Sequence, residues 1–132
     1  MTMQFLNLDL EIGSRFALGP LREAMARRRG VFELFHGRIG GLTRAHFQVH
    51  ARTHTADATA RALARLVDSL PVAARRCWAR ARLRDFNIGI ESGAKPRRIE
   101  RPLATATLAA VARLGARVVV TVYAPSGTRT VA

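Results

Sequence analysis

The chain has 132 residues, 48% hydrophobic and 23% charged, a balance that fits a single globular domain (1–132) and argues against wholesale disorder. Its longest stretches without a charge, Pro102–Ala112 and Val118–Thr128, run eleven residues each, short of the ~20 that a membrane-spanning helix requires, so no membrane association is expected. The formal charge is +13, and the 22 basic residues are 21 arginines and one lysine, Lys95. Phosphate binding gives no physical reason to exclude lysine, so a GC-rich codon supply accounts for much of that skew. The scarcity of acids, nine in all, is not explained that way and keeps an anionic partner open.

The start, Met1 to Asp9, has no basic segment ahead of an apolar run, so no secretory signal is expected. One cysteine, Cys77, leaves no internal disulfide and fits a reducing cytoplasm. Residues 4–12 alternate, with Leu6, Leu8, Leu10 and Ile12 expected to face a core and Asn7, Asp9 and Glu11 to face outward, the period of a half-buried strand. A helix follows through Leu18, Leu21 and Met25, opened by Gly19-Pro20 and closed by Arg27–Arg29 and Gly30, as a helix C-terminus prefers.

Val31–His36 is expected as a second strand, Gly37–Gly41 as a turn, and 42–52 as a third strand completing a hairpin. In that third strand Ala45, Phe47, Val49 and Ala51 share one face, while Arg44, His46, Gln48, His50 and Arg52 share the other. A helix begins at about Thr55, an N-cap residue with Asp57 in the first turn, and buries Leu63, Leu66, Val67 and Leu70. Pro71 breaks it, and a second helical piece runs to about Ala81.

Leu83–Glu91 is a fourth strand with Phe86, Ile88 and Ile90 inward, and Ser92–Pro102 is a basic loop holding Lys95, Arg97, Arg98 and Arg101. A short helix through Leu108, Val111 and Leu114 stops at Gly115. Val118–Tyr123 is nearly all apolar, which suggests a last strand buried on both faces, and the chain from about 124 reads as a frayed tail. The expected fold is therefore α+β in the order β-α-β-β-α-β-α-β. It amounts to a ferredoxin-like split βαβ sheet with an appended αβ unit and helices on one face.

On the open face Asp9 and Glu11 of the first strand would stand beside Arg44, His46 and His50 of the third, the one place where an enzyme site is conceivable. A metal shared by His46 and His50 is excluded, because four residues along a strand separate them by ~13 Å. Cross-strand charge pairing accounts for these residues without chemistry. Cys77 beside Trp78 reads as a packed helix residue, and His36–Gly41 lacks the Gly-Lys-Ser/Thr of a phosphate loop. An RNA-recognition sheet would need outward aromatics on its central strands, where this chain places Asn7, Asp9, Glu11, Arg44, His46 and Gln48. No catalytic, cofactor or metal motif is found, so neither enzyme activity nor a cofactor is expected.

The C-terminal half carries a resemblance. Asp85–Gly93, Pro102–Leu108 and Arg113–Tyr123 resemble the bacterial domain-of-unknown-function 4279 family, in which a strand, a loop, a helix and a Leu-Gly turn lead into a final strand ending in tyrosine. The likeness spans 55–123, with Ala104-Thr105 where the family opens the helix with Ser-Pro and without the family's tryptophan-containing strand in the first half. It implies a small α+β bacterial domain of a family with no established activity, so no residue role carries over. The leading expectation is a non-catalytic cytoplasmic domain that contacts a protein partner or a second copy of itself through a sheet face or an unpaired edge, the second strand above all. The alternative is non-specific binding of nucleic acid or another polyanion by the Lys95, Arg97, Arg98 and Arg101 loop.

Overall fold

A computed structural model describes residues 2–49 and 55–125. These residues form five strands and four helices: β1 (Gln4–Ser14), α1 (Gly19–Ala26), β2 (Val31–Ile39), β3 (Leu42–Val49), α2 (Ala56–Asp68), α3 (Val72–Arg80), β4 (Leu83–Glu91), α4 (Thr105–Arg113) and β5 (Arg117–Tyr123). The strands make one sheet in the order β2-β3-β1-β4-β5, in which β5 lies parallel to β4 and every other pair is antiparallel. Mixed α+β architecture is thus observed. The order differs from the expected one at Pro71, which N-caps α3 after α2 has ended and so divides the long helix into two separate ones.

Alternation along β1 sets the layers. Leu8, Leu10 and Ile12 are fully buried and join Ala45 and Phe47 of β3, Phe86 and Ile88 of β4, and the inner faces of all four helices in one apolar cluster. Asp9 and Glu11 point away from the helices. Leu6 does not join the core as its parity suggested. The β1–β4 register shifts between Phe5 and Asn7, so Phe5 takes the inward place and Leu6 is left 42% exposed.

The hairpin also closes later than expected: β2 continues through Gly37 to Ile39, and the turn is Gly40-Gly41 alone. Both glycines have positive φ, 60° and 80°, the conformation that a two-residue turn matched to strand twist demands. A second register shift, between Glu33 and Phe35, puts Phe32 opposite Gln48 and Phe35 opposite His46, so both phenylalanines lie on the side away from the helices.

The largest correction concerns β5. Its apolar run suggested burial on both faces, yet it is an edge strand beyond the reach of the helix layer, with Val120 56% and Val122 62% exposed. Val118, Val120 and Val122 pair with Phe86, Ile88 and Ile90, so they occupy the helix side of the sheet, where α4 leaves them uncovered. Among the described residues no helix is long and apolar enough to cross a membrane. The frayed-tail expectation, from about 124, falls almost wholly on 126–132, which lie outside the described residues.

Helix ends are satisfied economically. Thr55 caps α2 by accepting from the Ala58 amide at 3.2 Å. Asp57, in the first turn, serves α4 instead: its Oδ1 accepts from the Thr107 hydroxyl at 2.6 Å and from the Ala104 amide at 2.9 Å. These bonds, the Thr107 one foremost, hold the Asp57 carboxyl below its ordinary range. Thr107 is fully buried, so Asp57→Ala strands its hydroxyl and should cost about 1–3 kcal/mol in chemical denaturation. Adding Thr107→Val removes the stranded group, and the double variant should be more stable than Asp57→Ala alone.

Candidate functional site

The sheet face away from the helices is where the sequence places its acid–histidine cluster. Glu11 of β1 lies opposite His46 of β3 and Asp85 of β4, and Asp9 lies opposite Gln48 and Asn87. Glu11 is the hub. Its Oε2 accepts from Asn87 Nδ2 at 3.1 Å, and its Oε1 stands 3.9 Å from Arg44 Nη2. Asn87 Oδ1 in turn accepts from the Thr121 hydroxyl at 2.7 Å, which carries the network onto β5.

Arg44 Nη2 is also 3.2 Å from His46 Nε2, and the Phe35 ring packs 5.4 Å from the His46 ring. Burial lowers the His46 pKa, with Arg44 adding to the effect and Glu11 opposing it. The neutral ring offers Nε2 as the acceptor that the Arg44 guanidinium needs, so the hydrogen bond and the lowered pKa agree. At the other end of the face Arg117 grips Asp85 with two bonds of 2.8 and 2.9 Å, and the Asp85 side chain is nearly sealed beneath it.

The structure therefore brings Asp9, Glu11, Arg44 and His46 together as expected, while His50 lies outside the described residues. Sequence reading missed Asn87, Thr121 and the Asp85–Arg117 fork. Asp85 and Asn87 have the parity opposite to the inward Phe86 and Ile88, but only the parallel pairing of β5 reveals what they meet. The cluster is a set of cross-strand pairs in which nearly every polar group is occupied. Two atoms depart from that pattern: Arg44 Nε is shielded from solvent without a partner, and so is Oδ1 of Asp9, which accepts no hydrogen bond among the described residues. Desolvation first, and the neighbouring Glu11 charge second, push the Asp9 pKa up to about 6. Among the described residues no group of three His, Cys, Asp or Glu side chains is placed to hold a metal ion.

The basic loop does not converge. Lys95, Arg97, Arg98 and Arg101 are all exposed, and Glu100 takes two of them, pairing with Arg98 at 3.1 Å and accepting from Arg101 Nη1 through its carbonyl at 2.8 Å. Lys95 is tied down by its backbone, whose carbonyl accepts from the Met3 amide at 2.7 Å. Arg101 borders a hollow of about 500 Å³, but Asp57 and Glu100 line the same hollow.

Arginines do converge elsewhere. Between α2, α3 and α4 lies a cleft of about 680 Å³ that Arg61, Arg65, Arg75, Arg84 and Arg113 enter. Arg61 and Arg65 lie off the buried stripe of α2, and the neighbours that complete the set come from other elements. One signal was available for Arg84: it shares the parity of the inward Phe86 and Ile88, an odd place for a charge. No protein-family model, curated protein or solved structure matches this chain.

A pH test isolates Asp9. Its folded pKa is raised above the ordinary 3.8, so its contribution to stability is fully present below about pH 4 and is lost as pH rises through about 6. Asp9→Asn abolishes that loss. Thermal unfolding should show Asp9→Asn to be the more stable protein at about pH 8, with the difference vanishing near pH 4.

Proposed function

We propose that this protein is a non-catalytic interaction domain whose docking surface is the free edge of β2, and that the occupant is an extended acidic segment of a partner protein. The observation that carries this reading is the apolar strip that β2 presents at the sheet edge. Phe32, Phe35 and Ile39 all lie on its open side, 55%, 38% and 47% exposed, and Leu34 is exposed at the bulge between them. An edge strand offers unpaired backbone donors and acceptors, and alternating side chains of an added strand meet whatever that face displays.

Charge selects the occupant. Two copies of a chain carrying +13 repel one another, whereas an acidic segment is drawn in. Cations flank both ends of β2, with Arg27–Arg29 just before Val31 and Arg38 at the hairpin end. The ferredoxin-like reading of the sheet belongs to the same proposal. What supports it is that β1 and β2 flank β3 with α1 between them in sequence, while β4 joins β1 on its far side. The resemblance of 55–123 to a family without established activity is in keeping with a binding rather than a catalytic role.

Fluorescence anisotropy with a ten-residue peptide alternating valine and glutamate tests the reading against its valine–lysine counterpart. The acidic peptide should bind and the basic one should not. Phe32→Lys and Phe35→Lys should each weaken binding by about tenfold or more. They add positive charge, so an attraction of purely electrostatic origin would strengthen instead. Equal binding by both variants, or a dimer in light scattering that these substitutions dissociate, overturns the proposal.

A further inference from the structure

The arginine cleft points to a ligand that the β2 edge does not explain. It opens on the helix side of the sheet, and its five arginines meet one carboxylate, Asp68. Two of the five are committed locally. Arg84 donates from Nη1 to the Trp78 carbonyl at 3.2 Å, with its guanidinium 6.0 Å from the Trp78 ring centroid, and Arg61 is held by Asp57 at 3.3 Å.

Arg65, Arg75 and Arg113 make no ion pair with any described carboxylate. Three guanidinium groups from three helices thus share one concavity with little to offset them. Low-dielectric walls focus such a field, and a bound anion relieves the mutual repulsion. Guanidinium forks match phosphate oxygens two at a time, and several forks around one cleft suit more than one phosphate.

The size of the cleft argues for a small ligand rather than a long polymer. A volume of about 680 Å³ lies within the roughly 300–1,000 Å³ typical of small-molecule sites. The lining beside the cations is apolar: Trp78, Leu114 and the small side chains of Ala64, Ala106 and Ala110. We infer that this cleft binds a small organic polyphosphate, with its phosphates on Arg65, Arg75 and Arg113 and an apolar or aromatic body against the Trp78 side of the cleft.

Trp78 is the chain's one tryptophan and lines the cleft, so its fluorescence reports on this site. The intact protein is titrated with sodium pyrophosphate and with a nucleoside triphosphate at about 50 mM salt, where phosphate contacts are least screened, with calorimetry in parallel. Both ligands should give a saturable one-site signal, and the triphosphate, which has the organic body, should bind more tightly. Arg65→Ala and Arg113→Ala, both at exposed positions, should each weaken binding about tenfold. Arg65→Lys, which keeps the charge and loses the fork, should fall between wild type and Arg65→Ala. The paired loop substitutions Arg97→Ala and Arg98→Ala should leave affinity unchanged. No saturable signal with either ligand overturns the inference. So does a loss from the loop pair as large as that from the cleft variants, which would assign the effect to net charge. Binding of an oligonucleotide while pyrophosphate and the triphosphate stay inert overturns it as well, giving the arginines to a nucleic-acid backbone.

Discussion

Everything in this fold is registered on β1. It pairs with β4 over Gln4–Gly13 and with β3 over Asp9–Ser14, and its two faces have opposite characters. Leu8, Leu10 and Ile12 anchor the core, while Asp9 and Glu11 stand on the polar face. A slip of one residue would put two carboxylates under the helices and three large aliphatic side chains in water. Burial of one such side chain is worth about 1.5–3 kcal/mol, so the native register is strongly enforced. The polar network follows from it: once Glu11 is fixed, Arg44, His46 and Asn87 are the residues its neighbours must present.

How much of this was legible depended on whether a signal was local. The alternation in β1 and β3, the Thr55 cap, the break at Pro71 and the glycine turn each act within a few residues, and each is visible in the sequence. Leu6 shows the first limit. A register shift of one residue reverses which side chains face the core, and nothing in Gln4–Asn7 or Glu33–Phe35 announces it. Val118–Tyr123 shows the second. A run of valines states that a strand is apolar but not that helices reach far enough to cover it, and here they do not.

The candidate site divides along the same line. Asp9, Glu11, Arg44 and His46 were found because two strands with period two bring them together whatever else the chain does. Asn87 with Thr121, and Asp85 with Arg117, depend on a parallel partner more than 25 residues onward, joined through a helix. The cleft needs three helices to be placed before its arginines become neighbours. Composition gave their number but not their convergence.

Composition alone therefore decides little about the arginines, and their geometry decides more. A mutational supply of arginine would account for the scarcity of lysine, but not for where each guanidinium is used. Arg117 on Asp85 and Arg22 on Glu33 are two-toothed forks, and Arg84 lies beside an indole while bonding a carbonyl; lysine has neither the second tooth nor the flat surface. These arginines are fixed by the fold they help to hold. Subtracting them leaves a smaller population of cations, and it is not spread evenly: the Ser92–Pro102 loop carries part of it in solvent beside Glu100, while Arg65, Arg75 and Arg113 carry part of it into one concavity. Solvent screens the former within about one Debye length of ~10 Å at 0.1 M salt. The latter converges on one concavity, where the fields of the guanidinium groups add. The same excess of arginine is thus diffuse on one surface and focused on another, and the focused part is where a specific anion gains most.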